Sequence, residues 1–244
     1  DDFYCAPGSK KIIMELKPGG RVYETDGKGG GLVWYTVTAL QKAPAGPAGT
    51  NTALRLDGQV VLAIFAANLD ERRLPVEDLT LALLKTLDLM QAHNIGDKKL
   101  LVGGVSAGGT LAAHLVYDRA VLEGAGLGQH LFSGFVSFAG PLDLHQMPQF
   151  RAVHQYAGGR PGSAAFNAAN PINYLRGDEN IPALLLHSRT DAIVPYACSE
   201  SFFERYKGPK WLHPLPGKTH LDSMRFATDD LVTATLLRKW LEDK

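Results

Sequence analysis

Short apolar runs alternate with stretches whose apolar residues recur every three or four positions through most of this chain. The runs have the length of strands buried on both faces, and the recurrence is typical of amphipathic helices. The alternation begins at about residue 30 and predicts an α/β fold, a mostly parallel central sheet with helices on both faces. The strand-like runs are residues 99–103, 181–187 and 211–215, and the helical stretches are residues 75–93 and 107–116.

The N-terminal part has a different pattern. Residues 11–16 and 21–25 are short strand candidates, and Lys17-Pro18-Gly19-Gly20 between them favours a turn. We therefore expect the sheet to start with antiparallel strands. Residues 27–31 are a glycine-rich turn that lacks the spacing of a phosphate-binding loop, which argues against a nucleotide as ligand.

The motif Gly104-Val105-Ser106-Ala107-Gly108 lies at the junction of an apolar run and a helical stretch. A serine on a tight turn from a strand into a helix has an exposed hydroxyl, and flanking glycines let neighbouring backbone pass close to it. This position makes Ser106 the candidate nucleophile. The alternative is that so short a motif arises by chance in a chain with 26 glycines.

An acid and a histidine follow the serine in the order that a catalytic triad can use. Asp191 lies in the turn after the run 181–187, and His220 lies in the loop after the run 211–215. Both lie at the carboxyl edge of the predicted sheet, where open parallel sheets bind ligands. His220 would take the serine proton, and Asp191 would orient the imidazole and stabilise its charged form. The alternatives are a turn aspartate that caps a helix and a polar loop histidine.

At these motifs the chain resembles the α/β-hydrolase serine esterases, and most closely the carboxylesterases related to hormone-sensitive lipase and the feruloyl esterase-like enzymes. The resemblance runs from about residue 31 to the C-terminus and implies an α/β-hydrolase fold with a minimal lid. In this resemblance, residues 60–65 correspond to the fourth strand and residues 74–78 to the start of the next helix. The turn Gly104–Gly109 and the segment 170–174 also match. Residues 187–191 are similar to the motif His-Gly-x-x-Asp, with serine in place of glycine.

The chain departs from these esterases at the oxyanion hole. A His-Gly-Gly loop follows their third strand and supplies backbone N–H groups, whereas here the corresponding segment is Val37-Thr38-Ala39-Leu40. The N–H of Ala107 remains as one donor. We expect the second from the backbone near Ala39 or from the hydroxyl of Thr38, and the loss of one donor typically costs a factor of about 100 to 1,000 in turnover. An alternative alignment uses residues 27–31 as this loop but leaves no place for the strand that follows.

Residues 144–180 form the longest tract without a regular period. In the fold that the resemblance implies, the excursion after the sixth strand often lies over the active site. We therefore expect a small partial lid in which Phe150, Tyr156 and Phe166 shape the pocket for the acyl or alcohol group. The alternative is that these aromatic side chains only bury the excursion itself.

Composition narrows the choice of partners. Lys and Arg total 25 and Asp and Glu total 25, so neither nucleic acid nor an anionic membrane surface is favoured. No apolar run has the length of a membrane span. No histidine pair has metal-ligand spacing with an acid, and no cysteine pair suggests zinc, so we expect neither a metal ion nor a cofactor. With 244 residues and 45% hydrophobic content, residues 1–244 are predicted to form one domain.

The start of the chain and its two cysteines bear on the compartment. The chain starts at Asp1 without a methionine, which is compatible with removal of a secretion signal. Cys5 and Cys198 are candidates for a disulfide in an oxidising compartment, and two unpaired thiols are the alternative. We expect an exported, secreted or periplasmic protein, and the sequence leaves the oligomeric state open.

The leading prediction is a serine hydrolase that cleaves carboxylic esters of small or medium-sized acyl groups through an acyl-enzyme intermediate. The partner is then a small-molecule ester. An amide hydrolase, such as an arylformamidase or a prolyl-peptidase relative, would use the same triad. Because the His-Gly loop is missing, a non-catalytic α/β-hydrolase that binds a ligand is the third hypothesis, and the intact Ser106, Asp191 and His220 argue against it.

Overall fold

The computed structural model of the chain describes residues 11–14, 21–25, 31–36, 54–56, 59–65, 76–92, 99–215, 217, 219–220 and 231–243. The described strands are β1 (Lys11–Met14), β2 (Arg21–Thr25), β3 (Gly31–Thr36), β4 (Leu54–Leu56), β5 (Gln59–Phe65), β6 (Leu100–Val105), β7 (Phe132–Phe138), β8 (Ala183–His187) and β9 (Lys210–Pro214). The described α-helices are α1 (Val76–Ala92), α2 (Ala107–Tyr117), α3 (Arg119–Gly124), α4 (Arg151–Ala157), α5 (Ala164–Ala169), α6 (Ala197–Arg205) and α7 (Leu231–Asp243).

A six-stranded sheet in the order β4-β5-β6-β7-β8-β9 forms the centre of the fold. β4 is antiparallel to β5, and each of the other neighbouring pairs is parallel. Parallel neighbours need long connections, and α1 lies in the crossover from β5 to β6, while α2 and α3 lie in the crossover from β6 to β7. The prediction of a mostly parallel α/β sheet is confirmed.

The central strand β6 is buried along its whole length, and its side chains alternate between two cores. Leu100 and Val102 belong to a core that α1, α2, α3 and α6 complete. Leu101 and Val105 belong to a second core that α7 covers, with Trp240 among its buried side chains. A strand that is apolar on both faces needs a helix layer on each side of the sheet, which is the predicted arrangement.

The first three strands pair with one another. β1 is antiparallel to β2, and β2 is antiparallel to β3 with an irregularity between Val22 and Tyr23. Within the described residues these strands form a separate three-stranded sheet, with no ladder to the six-stranded one.

The tract 144–180, which we expected to be irregular, contains the short helices α4 and α5. Helices of six or seven residues are too short to show an apolar period, and local signals delimit them instead. Gly158 adopts a left-handed conformation after α4, and the hydroxyl of Ser163 accepts a hydrogen bond from the N–H of Phe166 at the start of α5. The tract has its own apolar core, which reaches the segment after β8 through Val194 and Cys198.

A buried aspartate connects this tract to α6. One carboxylate oxygen of Asp143 accepts from the hydroxyl of Ser201 on α6 (2.7 Å), and the other accepts from the side-chain amide of Asn170 (3.2 Å) and the N–H of His145 (3.1 Å). Burial opposes the charged form and raises the pKa of Asp143. These hydrogen bonds outweigh that effect and lower the pKa below its ordinary value.

We expect Asp143→Asn to lower the free energy of unfolding by about 1–3 kcal/mol, because an amide group would then face hydrogen-bond donors. The folded-state pKa of Asp143 is lowered, so its stabilisation is present above the unfolded carboxyl pKa of about 3.9 and is lost as the pH falls below it. Thermal unfolding of both proteins between about pH 7 and about pH 3 should therefore show a gap in Tm that narrows in acid. A gap of constant size would contradict a role for the charge.

Candidate active site

Ser106 lies between β6 and α2 with φ 53° and ψ −127°, a left-handed conformation that is strained for serine. Its N–H donates to the carbonyl oxygen of Phe138 (2.9 Å), and its own carbonyl oxygen accepts from the N–H of Gly109 (2.8 Å). Gly104 is required for this turn, since a Cβ atom there would lie 2.2 Å from the carbonyl carbon and oxygen of Gly108. Strand and helix therefore meet in the tight turn that the motif predicts.

Ser106, Asp191 and His220 come together at the carboxyl edge of the sheet. Nε2 of His220 lies 2.9 Å from Oγ of Ser106, and Nδ1 lies 2.8 Å from Oδ2 of Asp191. A neutral imidazole in this position donates from Nδ1 to the carboxylate and accepts the hydroxyl proton at Nε2. The side chain of Asp191 is fully buried and that of His220 is 8% exposed, so water competes little for these contacts. The arrangement can move a proton between the serine oxygen and the imidazole.

The carboxylate of Asp191 has further partners on its own turn. Oδ1 accepts hydrogen bonds from the N–H groups of Ile193 and Val194, both at 2.9 Å. Burial raises the pKa of Asp191, but hydrogen bonds from His187, His220 and these two backbone groups outweigh burial and hold its pKa well below the ordinary value. The group facing His220 is therefore a charged carboxylate at neutral pH.

The predicted oxyanion-hole residues fall in two parts of the chain. Ala107 is the first residue of α2, directly after Ser106, and the eleven residues of this helix are all buried. The N-terminus of a helix presents N–H groups and the positive end of the helix dipole, which favours an anion at this place. Thr38 and Ala39 lie outside the described residues, as does most of the alternative loop 27–31, so the second donor stays a prediction.

The three predicted pocket aromatics occupy different environments. Phe150, directly before α4, is 50% exposed, and Tyr156 is half-buried against the core of the tract. Phe166 is fully buried in that core, where its ring contacts His145 at a centroid distance of 5.0 Å. Phe166 therefore packs within the excursion, which was the alternative to a role in the substrate pocket. Phe150 is the one of the three that has a large surface open to a ligand, and its contact with substrate stays a prediction.

One histidine beside Asp191 is not among the predicted site residues. His187, the last residue of β8, is fully buried, and its Nε2 lies 3.4 Å from Oδ2 of Asp191. Its position four residues before the acid, at the end of an apolar strand, is the one sequence signal that points to this contact. His114 is another buried histidine, and its Nε2 lies 3.0 Å from the carbonyl oxygen of Ala169.

The remaining predictions concern thiols, metals and membranes. Burial raises the pKa of the Cys198 thiol to about 12, and Cys5 lies outside the described residues. Among the residues that the structure describes, no group of three or more His, Cys, Asp or Glu side chains is arranged to hold a metal ion. None of the described helices is both long and apolar enough to cross a bilayer.

A mostly parallel sheet with helices on both faces, and a serine on a strained turn after its central strand, define an α/β-hydrolase. The sequence matches the profile of the BD-FAE family over residues 72–206, which is more than half of the chain. The chain therefore belongs to the BD-FAE family. This membership confirms the resemblance to α/β-hydrolase serine esterases that the motifs indicated, and with it the assignment to the ester hydrolases.

Solved structures give the same fold. A truncated carbohydrate esterase from gut microbiota has a TM-score of 0.62 at 16% identity, with 75% of this chain and 85% of that chain covered. An acetyl ester-xyloside bifunctional hydrolase from Caldicellulosiruptor lactoaceticus has a TM-score of 0.57 at 20% identity, with 71% and 68% covered. Esterase 2 of Thermogutta terrifontis has a TM-score of 0.54 at 22% identity, with 69% and 64% covered. None of the curated proteins compared with the chain matches it significantly.

Proposed function

We propose that this protein is a serine esterase that cleaves carboxylic esters of small or medium-sized acyl groups, with Ser106 as nucleophile, His220 as general base and acid, and Asp191 as the carboxylate that orients the histidine. The observation that carries the proposal is the hydrogen-bonded line from Ser106 through His220 to Asp191, with contacts of 2.9 Å and 2.8 Å. A serine hydroxyl needs such a base to act as a nucleophile near neutral pH.

In the first half of the reaction, Oγ of Ser106 attacks the ester carbonyl carbon while its proton moves to Nε2 of His220. The resulting imidazolium is stabilised by the charged carboxylate of Asp191. The tetrahedral intermediate then expels the alcohol, which takes the proton from Nε2 as the carbon–oxygen bond breaks. The products of this half are a free alcohol and an acyl group esterified to Ser106.

The second half repeats these steps with water. The water oxygen attacks the acyl carbon as Nε2 of His220 takes one of its protons, and the carboxylic acid leaves as that proton returns to Oγ of Ser106. In both halves the carbonyl oxygen becomes an anion. The N–H of Ala107 at the start of α2 would stabilise it, together with a second donor from the segment of Thr38 and Ala39.

The proposed acyl preference rests on exposed apolar side chains on and beside the turn of Asp191. Phe150 and Ile193 are the exposed large apolar side chains among the described residues, at 50% and 55% exposure. Ile193 lies two residues after Asp191, and Phe150 lies on the tract that packs against the same turn. Apolar surface at these positions favours a moderately apolar acyl or alcohol group. Because two of the compared structures are described as a carbohydrate esterase and an acetyl ester-xyloside hydrolase, acetylated sugars are the first natural esters to screen.

Covalent labelling with an organophosphonate tests the proposal, since capture of the probe requires an activated serine. We expect one adduct per chain, located on the peptide that contains Ser106, and hydrolysis of p-nitrophenyl acetate that falls in proportion to labelling. An unlabelled protein at high probe concentration would favour the non-catalytic binder. Labelling together with cleavage of amides, and without cleavage of esters, would favour the amide hydrolase.

A further inference from the structure

We propose that His187 is a positioning residue for the triad, which acts by holding the turn and the carboxylate of Asp191 in the orientation that His220 requires. This inference rests on the proposed esterase function. It assigns a role to a buried imidazole that the reaction itself does not use. His187 makes no contact with Ser106 in the described structure, so its effect must pass through Asp191.

The contacts of His187 converge on the acid. Its Nε2 lies 2.9 Å from the carbonyl oxygen of Val194 and 3.4 Å from Oδ2 of Asp191. Oδ2 is the same oxygen that accepts from Nδ1 of His220 at 2.8 Å. Two imidazoles therefore approach one carboxylate oxygen, and the two backbone N–H groups of the turn hold the other oxygen.

The neighbours of His187 fix the form that can do this. Nδ1 of His187 lies 2.8 Å from the hydroxyl oxygen of Ser199 on α6, and both side chains are buried. Nε2 faces two acceptors, a carbonyl oxygen and a carboxylate, so it must carry the proton. Nδ1 of the neutral ring is then an acceptor, and the hydroxyl of Ser199 donates to it. The acceptors at Nε2 thus fix the proton there, and the hydroxyl of Ser199 satisfies the other nitrogen.

The same donor also closes the turn that carries the acid. The carbonyl oxygen of Val194 accepts from His187, while the N–H of Val194 donates to Oδ1 of Asp191. Residue 194 is therefore held from both sides, and the carboxylate cannot rotate without breaking a bond to the turn. A cation also lies near this assembly: the guanidinium of Arg189 is 4.5 Å from the ring of Tyr196, and that ring lies 5.6 Å from the ring of His187.

Packing alone does not explain an imidazole here. β8 reads Ala-Leu-Leu-Leu-His and is buried throughout, so an apolar side chain of similar size would fill the position without desolvating a polar ring. Leaving such a ring unpaired in this environment would destabilise the fold, yet both of its nitrogens have partners. One nitrogen faces a helix and the other faces the acid. The residue is therefore placed where its polarity acts on Asp191.

The test compares His187→Met and His187→Gln with His114→Met, a control that replaces another buried histidine with no contact to Asp191. We expect His187→Met to lower kcat for p-nitrophenyl acetate by about 10- to 100-fold with KM changed less than about twofold, because the acid loses its orientation and the substrate surface is retained. His187→Gln keeps an amide N–H at the position of Nε2 and should recover at least about tenfold of the loss. His114→Met should lower Tm without lowering kcat beyond about twofold.

Nitrogen-15 histidine spectra of the unmodified protein supply a readout that does not depend on turnover. We expect His187 to carry a proton on Nε2, and Ser199→Ala to keep that proton in place and to lower kcat by a smaller factor than His187→Met. A proton on Nδ1 of His187 would overturn the proposal. So would a loss of activity in His187→Met and His187→Gln that only follows their loss of Tm. If instead the unmodified protein takes no phosphonate, the esterase proposal fails while the spectra still report on His187.

Discussion

Replacement of Ser106 by alanine is expected to lower kcat/KM for p-nitrophenyl acetate by about 10⁴- to 10⁶-fold. The variant lacks the oxygen that lies 2.9 Å from Nε2 of His220, so no acyl-enzyme can form and no proton can be relayed from this position. What remains is substrate binding and any stabilisation of the oxyanion by backbone N–H groups. Initial rates measured at enzyme concentrations high enough to detect the residual activity give the size of the loss.

The control for this variant is Ser133→Ala. Ser133 lies near the start of β7, and the carboxyl ends of the parallel strands carry Ser106 and Asp191, so the control serine is at the opposite edge of the sheet. It should retain kcat/KM within about twofold of the unmodified protein. Because alanine has the same backbone preferences at φ 53° as serine, Ser106→Ala should also keep its Tm. Substantial turnover by a folded Ser106→Ala protein would remove Ser106 from the mechanism.

The sequence predicts the central fold well because that fold depends on local patterns. The apolar run at 99–103 becomes β6, Leu100–Val105, and the periodic stretch 75–93 becomes α1, Val76–Ala92. The boundaries move by one or two residues, as expected where backbone hydrogen bonds and not side chains end an element. The meeting of Ser106, Asp191 and His220 is predicted from strand ends alone, since parallel strands bring their carboxyl ends to one edge of the sheet.

Features that depend on contacts across the chain are not visible in the sequence. Asp143 accepts hydrogen bonds from Asn170 and Ser201, which are 27 and 58 residues away in the sequence. No local sequence pattern predicts such a network. The pairing of His187 with Ser199 depends likewise on how α6 packs against β8. The helices α4 and α5 were missed because each has fewer than two turns. The second oxyanion donor rests on Thr38 and Ala39, which fall outside the described residues.

The backbone turn at Ser106 is fixed by the contacts that surround it. Ser106 has positive φ, and so does Ala139 (φ 49°) directly after β7, where the N–H of Ala139 donates to the carbonyl oxygen of Leu186 at 2.9 Å. Two non-glycine residues with strained backbone therefore lie at the ends of neighbouring strands β6 and β7. Such strain persists only where surrounding contacts fix the chain, and it concentrates at functional sites. Ser106 is thus held by the packing of the sheet, not by its own side chain.

Gly104→Ala is expected to have the largest effect on folding. The added Cβ atom would lie 2.2 Å from the carbonyl carbon and oxygen of Gly108 and 2.7 Å from the nitrogen of Gly109. All of these are backbone atoms of the turn, so no rotamer change can relieve the overlap and α2 must move away from β6. We expect the free energy of unfolding to fall by more than about 4 kcal/mol, or no soluble protein to be recovered. Thermal unfolding and the rate of phosphonate labelling measure the two consequences.

Gly124→Ala is the matched control for this substitution. Gly124 ends α3, has no atom within 4 Å of an added Cβ and is exposed, so alanine should be neutral there or should stabilise the helix by about 0.5–1 kcal/mol. Both variants add a methyl group to a glycine, and they differ in the atoms that surround the added methyl group. A Gly104→Ala protein with the Tm and labelling rate of the unmodified chain would show that the turn can open without cost. The strained serine at 106 would then need another explanation than the close approach of β6 and α2.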